Sequence, residues 1–537
     1  MVKKESEIVL QVKNLKVSYR QNHRPVNVLE GLSFSLRKGE ILSLLGESGS
    51  GKSTVAKAIT GLLPPSANIG DGILKIGSAF AAHLPSKTID WNQIRGRQLA
   101  MLFQDAQQAL NPMLTIKEHF REILLFHHMA STDEVIPVST KLLSMLNFTE
   151  GKSILDFYPF QLSGGMCQRI CLALALCLKP RVLIADEPTS ALDTVSQKEA
   201  LDLLKRVQEE LGLAVLLITH DIAVANAASN RVVVLNKGII EEQGDTRRVF
   251  STPQTPYTCK LISSRSLMAK PSRDSGPLQG SEPILRIVEL NKAFSRKKQV
   301  LCNINLMLHE KEILGILGQS GCGKSTLARC ITDLERPSQG RILYRGTDIT
   351  ALRGKEKREI HRHIQLVFQD ARASLNPRYT ALQLVQEPLH YLNVARKKER
   401  ETMAHFYLNE VGICDDVQKR RPPQLSTGQC QRIAIARALV LKPEVLICDE
   451  AVSALDMSVQ SQILELLQRL HGQFGFSILM ISHDIRVLRY FCHRIAVMKD
   501  GNFCEIRQGG ALLNESKQSY TQLLLKCERD MEAGLCC

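Results

Sequence analysis

Two Gly-rich stretches have the spacing of a phosphate cradle. The first is Gly46, Glu47, Ser48, Gly49, Ser50, Gly51, Lys52, Ser53 and Thr54. The second is Gly318, Gln319, Ser320, Gly321, Cys322, Gly323, Lys324, Ser325 and Thr326. Both fit G-x-x-x-x-G-K-[ST]. The glycines let successive backbone N–H groups turn inward around phosphate oxygens. Lys52 and Lys324 reach the outer phosphates, and the Ser53 and Ser325 hydroxyls are placed to ligate Mg2+. A helix starting at the end of each loop turns its positive end to the anion. Each copy follows a short apolar run, Ile41 to Leu45 and Ile313 to Leu317, which reads as a buried parallel strand. The pair predicts nucleoside triphosphate binding at two sites.

Further residues fit the same chemistry. VLIADE, Val182 to Glu187, and VLICDE, Val445 to Glu450, are apolar strands ending in two carboxylates. Asp186 and Asp449 are expected to hold Mg2+. Glu187 and Glu450 are expected to polarise the attacking water. His220 and His483 each follow a strand-like run and are candidates for a γ-phosphate contact. The amides of Gln104 and Gln369 can bond Mg2+ or the lytic water. Tyr19 and Phe294 offer rings for adenine, worth about 1–3 kcal/mol by analogy with base stacking.

The elements that position these residues occur twice. LQVKNLKVSY, Leu10 to Tyr19, matches LRIVELNKAF, Leu285 to Phe294, and the other paired motifs keep their order to the end. The division expected is a domain at 1–262, a flexible Pro/Gly/Ser-rich linker at 263–283 and a second domain at 284–537. Strands alternating with helical patterns imply an α/β fold with a mainly parallel sheet. Polar, helix-prone inserts at about 115–156 and 380–417 read as helical subdomains. The chain has 537 residues, 44% of them apolar, enough for two or three packed domains. No apolar run could span a bilayer, and MVKKESE lacks the apolar core of a signal peptide, so a cytosolic chain is expected. Its scattered 15 cysteines then read as small hydrophobes. Cys527, Cys536 and Cys537 lack paired metal-ligand spacing. A net charge of +15 favours acidic partners without choosing among nucleotide, lipid headgroups and RNA.

Ser163, Gly164 and Gly165 in LSGGM, and Ser426, Thr427, Gly428 and Gln429 in LSTGQ, complete the pattern. With them the sequence resembles the ATP-binding cassette (ABC) family over nearly its whole length. The resemblance implies an α/β fold of two tandem cassettes. Each would have a mainly parallel-sheet core, an antiparallel β part and a helical subdomain. It implies ATP and Mg2+ as cofactors. It also implies that each ATP lies between the phosphate loop of one cassette and the signature of the other. Lys52, Gln104, Asp186, Glu187 and His220 would then work with Ser426 and Gly428. Lys324, Gln369, Asp449, Glu450 and His483 would work with Ser163 and Gly165. Asp193 and Asp456 look like the loop linking the two sites. Thr427 stands where the family has Gly, which implies a slower first site.

More narrowly, FQD with ALNP or SLNP, and TPQTPYT after the first cassette, resemble the peptide/nickel importer subfamily. RPPQLS and DEAVSALD lean the solute to nickel or a metal chelate, with di- or oligopeptides as the alternative. The resemblance implies a peripheral ATPase on the cytoplasmic face of the cell membrane. Its partners would be two transmembrane permease subunits and, through them, an extracytoplasmic solute-binding protein. Soluble tandem cassettes also act on ribosomes, and +15 would suit RNA. Those resemble each other in a long, charged linker, whereas 263–283 is short and Pro/Gly/Ser-rich, so no nucleic acid is expected.

Overall fold

In the computed structural model the apolar runs ahead of both Gly-rich loops are strands buried along their whole length, Ile41–Leu45 and Ile313–Leu317. The structure describes residues 7–21, 24–78, 80–86, 89–190, 192–267, 282–295, 298–453, 455–512 and 516–533. Most of the expected linker, Cys536 and Cys537 lie outside these. The chain divides into two units, 1–263 with 527–537, and 264–526. The closing segment thus groups with the first unit, where the sequence division at 284–537 expected it in the second.

In the first unit, β1 (Ile8–Gln21), β2 (Arg24–Arg37), β3 (Ile41–Leu45), β4 (Ala67–Ile76) and β5 (Phe80–His83) come first. They are followed by β6 (Leu99–Leu102), β7 (Val182–Asp186), β8 (Ala214–Thr219), β9 (Arg231–Asn236) and β10 (Ile239–Asp245). A four-stranded sheet has the order β2-β1-β4-β5, and a six-stranded sheet the order β10-β9-β3-β8-β7-β6. The first is antiparallel throughout. In the second only the β9–β10 pair is antiparallel. β3, β7 and β8 are wholly buried, as strands covered on both faces must be. Leu44, Ile184, Ile218 and Val233 join the antiparallel sheet's Leu10, Leu15 and Leu36 in one core. Burying each such side chain is worth about 1.5–3 kcal/mol.

The second unit repeats the plan. It begins with β11 (Pro283–Ser295), β12 (Lys298–His309), β13 (Ile313–Leu317), β14 (Gln339–Tyr344) and β15 (Thr347–Asp348). Next come β16 (Ile364–Val367), β17 (Val445–Asp449), β18 (Ser477–Ser482), β19 (Arg494–Lys499) and β20 (Asn502–Gln508). The sheet orders are β12-β11-β14-β15 and β16-β17-β18-β13-β19-β20.

The inserts are helical. Ile116–Phe126 and Val135–Met145 lie in the first, Ala381–Tyr391 and Lys397–Glu410 in the second. Each opens on a reciprocal cap. Thr115 accepts from Glu118 N–H and donates its own N–H to that side chain; Thr380 and Gln383 do the same. Among the described residues no helix is long and apolar enough to cross a membrane.

Candidate active site

Each parallel sheet delivers its chemistry at the carboxyl ends of its strands, where open α/β sheets place ligands. β3 runs into the loop, and the helix Lys52–Ile59 starts at its last glycine; β13 and Lys324–Ile331 repeat this. Gly51 and Gly323 precede the helices at φ 106° and 109°, a left-handed backbone that disfavours any side chain. Gly46 and Gly318 answer a different need. A Cβ would come within 2.2 Å of Leu235 O at the first and 2.4 Å of Met498 O at the second. At the loop tips Ser48, Gly49, Ser320 and Gly321 are exposed, while Ser50 and Cys322 are buried.

Lys52 and Lys324 are only 5% and 4% exposed, so their ammonium groups need acceptors. The loops supply them. Lys52 Nζ donates to Gly46 O and Glu47 O at 2.8 and 2.9 Å. Lys324 Nζ donates to Gly318 O and Gln319 O at 2.7 and 2.8 Å.

The carboxylates sort themselves by partner. Ser53 Oγ donates to Asp186 Oδ1 at 3.3 Å, and Ser325 Oγ to Asp449 Oδ1 at 3.0 Å. Burial pushes both Asp carboxyls up, against the serine hydrogen bonds and with the neighbouring glutamate's charge. Glu187 accepts from Gln104 Nε2 at 3.0 Å and meets His220 Nδ1 at 3.0 Å. Glu450 accepts from Gln369 Nε2 at 3.0 Å and meets His483 Nδ1 at 3.4 Å. Burial pushes these carboxyls up too, but the histidine hydrogen bond and charge and the loop lysine outweigh it, and both end below the usual range. Burial likewise depresses His483, and Glu450 more than reverses it. So one acid beside each loop is pushed up because burial outweighs the nearby cations, Lys52 and Lys57 or Lys324 and Arg329, and the other is held ionised among donors.

Glu187 and Glu450 also take an unusual backbone, each with φ 48°. Such a conformation costs about 1–3 kcal/mol in a residue other than glycine. It is fixed by Glu187 N–H donating to Ile218 O at 2.9 Å and Glu450 N–H to Ile481 O at 3.0 Å. Sequence reasoning gave no sign of it.

The remaining expected residues are placed as follows. Tyr19 is half-buried, its hydroxyl 3.5 Å from Thr54 Oγ1 at the loop's end. Phe294 is exposed, with Lys292 Nζ 4.8 Å from its ring centre. Ser163 caps the helix Gly164–Leu176, accepting from Met166 N–H at 3.3 Å. Ser426 caps Thr427–Leu439, accepting from Gln429 N–H at 3.2 Å, while Gln429 Oε1 accepts from Ser426 N–H at 3.0 Å. Capping uses serine oxygen as an acceptor, so the hydroxyl keeps its donor for an anion. At Gly164, the position matching Thr427, a Cβ meets nothing within 4 Å, so its own unit tolerates a side chain there. Tyr257 and Tyr520, which no reading of the sequence assigned to the loops, accept there: each hydroxyl accepts from a loop N–H.

The ABC transporter family matches residues 29–190 and 301–453, and the oligopeptide/dipeptide transporter C-terminal region matches 242–296. The glutathione import ATP-binding protein of Shigella dysenteriae is 36% identical, across 96% of this chain and 89% of that protein. Its Escherichia coli counterpart is 35% identical over the same shares. A solved Clostridium perfringens chain, part of an ABC transporter complex, is 30% identical with a TM-score of 0.41, covering 47% of this chain and 98% of that one. These relatives lend nothing to the lean toward nickel; their names favour the peptide alternative. Two cassette matches, one on each Gly-rich loop, and relatives along almost the whole length establish that the chain is an ATPase belonging to the ABC transporter family.

Proposed function

We propose that the chain is the ATP-hydrolysing subunit of a membrane importer of the peptide class, with glutathione-like short peptides as its solutes. It would work on the cytoplasmic face of the membrane with two permease subunits and, through them, an extracytoplasmic solute-binding protein. The observation that carries the ATPase part is the repeated cluster. In both units a lysine-holding loop stands beside a Ser–Asp pair and a Gln–Glu–His group. The peptide part rests on the relatives' names and on the region at 242–296.

In this reading Lys52 and Lys324 bind the outer phosphates. Ser53 with Asp186 and Ser325 with Asp449 offer hard oxygen donors that would hold Mg2+, joined by Gln104 and Gln369. The upward shift of both buried Asp carboxyls, which the nearby lysine and arginine charges do not offset, fits a divalent cation, which would add positive charge beside them. Mg2+ takes few protein ligands and completes its shell with phosphate and water. Accordingly, no group of three or more His, Cys, Asp or Glu is needed, and none occurs among the described residues. Glu187 and Glu450, ionised at neutral pH, accept hydrogen bonds from the attacking water. His220 and His483 hold these carboxylates in place and face the γ-phosphate. Ser163, Gly164 and Gly165, and Ser426, Thr427, Gly428 and Gln429, form anion clamps at helix starts.

The importer reading is tested by reconstituting the chain with its neighbouring permease subunits in vesicles. ATP-dependent uptake of labelled glutathione or dipeptides is expected. Uptake of Ni2+ without peptide returns the nickel reading, and cosedimentation with ribosomes but not permeases discards the importer. The clamp has its own test. Thr427→Gly is expected to raise steady-state ATP hydrolysis severalfold, since Thr adds a stiff β-branched group where a phosphate must approach. An unchanged or lower rate shows that threonine is accepted there.

A further inference from the structure

In both phosphate loops one peptide group is held at both ends. The peptide joining Gly46 to Glu47 accepts from Lys52 Nζ at 2.8 Å through its carbonyl, and its N–H donates to Tyr257 Oη at 3.4 Å. The peptide joining Gly318 to Gln319 accepts from Lys324 Nζ at 2.7 Å and donates to Tyr520 Oη at 3.1 Å. A trans peptide is planar and aims C=O and N–H in opposite directions. Each tyrosine therefore fixes one edge of the plane whose other edge holds the lysine.

The tyrosines arrive from outside the sheets. Tyr257 is on the helix Pro256–Leu267, after β10, and Tyr520 on Ser519–Glu532, after β20. They lie 210 and 201 positions along the chain from the residues they bind. Local chain geometry therefore does not force either contact, yet both units make it. Tyr520 is largely buried, and Lys499 Nζ lies 5.3 Å from its ring centre. A phenol oxygen suits the task because it accepts from the N–H on a rigid ring with few torsions to freeze. Hydrogen bonds in series also polarise one another, so an N–H held by the phenol makes its carbonyl a better acceptor for the ammonium.

We infer that Tyr257 and Tyr520 are positioning residues for ATP binding, acting through the Gly46–Glu47 and Gly318–Gln319 peptides to set where Lys52 and Lys324 stand. The pairing makes the segment after each cassette a part of its phosphate site. A change that lifts either helix would loosen the lysine without touching the loop sequence. The shorter of the two bonds, at Tyr520, sets the larger effect.

The proposal rests on ATP occupying these loops, and the unmodified chain's ATP affinity checks that separately. Tyr257→Phe and Tyr520→Phe keep the rings and remove the hydroxyls, and with them the acceptors for the loop N–H groups. Equilibrium binding of labelled ATP to the full chain is measured for each, alone and with Lys52→Met or Lys324→Met on the same loop. The dissociation constant is expected to rise about fivefold at the affected site in the Tyr→Phe chains, the scale of one net hydrogen bond. In the matching lysine-substituted background the second change should add nothing, because the residue it acts through is gone. Wild-type affinity in both Phe variants overturns the proposal. So does a loss that persists undiminished without the lysine. A fall in the nucleotide-free unfolding temperature that accounts for the whole loss makes the tyrosines structural and overturns it as well.

Discussion

Replacing Glu187 and Glu450 together with glutamine is expected to leave ATP bound and to lower turnover by about 100-fold or more. Glutamine keeps the side chain's shape and its acceptor oxygen, so the bonds from Gln104 and Gln369 have somewhere to go. What is lost is the negative charge. In both units that charge is maintained against burial by the histidine and the loop lysine, so the carboxylates stay ionised well below neutral pH. An ionised carboxylate can polarise water; a neutral amide in the same place cannot do so to the same degree. Lys324 loses its 3.8 Å ion pair with Glu450, but Lys52 and Lys324 keep their loop-carbonyl acceptors, so binding should persist. Phosphate release by the chain assembled with the proposed permease subunits measures the rate, and labelled ATP retained on the purified chain measures binding. Near-normal release in the double variant removes the glutamates from the role given to them.

Lys52→Met and Lys324→Met should act on the other parameter. Methionine is unbranched and apolar, close in length to lysine, and fills the same nearly buried space. It brings no donor for Gly46 O, Glu47 O, Gly318 O or Gln319 O. A buried charge pair that loses one partner typically costs about 2–5 kcal/mol, so ATP affinity should fall by about 100-fold. The comparison with the glutamine variant is informative. One chain binds and does not turn over, while the other fails to bind at ordinary ATP concentrations. Saturation binding across a wide ATP range checks this, and a loss under fivefold would show that the ammonium is not a phosphate ligand.

Much of this was legible in the sequence because phosphate chemistry needs particular residue types at fixed spacings. Gly46 to Thr54 and Gly318 to Thr326 are local motifs, and each follows a strand whose apolar run is equally local. The assignment of Asp186 to Ser53 and of Glu187 to His220 was out of reach from spacing alone, though strand ends in one parallel sheet made it foreseeable. Besides the backbone at Glu187 and Glu450, two things were not foreseeable. The tyrosines reach the loops from the far end of each unit, and a contact across some two hundred positions leaves no periodicity to detect. The solute was also beyond these motifs. Residues that hold phosphate and water do the same work whatever is carried, so the lean toward nickel drew on RPPQLS and DEAVSALD, segments whose chemistry serves ATP and not the solute. Relatives along the whole chain pull it toward peptides.

The left-handed backbone at Glu187 and Glu450 has a bearing on how these domains can drift under selection. At both positions glycine, or asparagine to a lesser degree, would sit more comfortably than glutamate. Relief of strain of this size could raise the folded-to-unfolded ratio severalfold in either unit. If the glutamates act as proposed, every such step would also slow hydrolysis at its site. A selection for heat tolerance alone, with hydrolysis unmonitored, would therefore reward the loss of these two side chains. On the proposed role, glutamate at both loops is a demand for turnover held against stability, once in each half of the molecule.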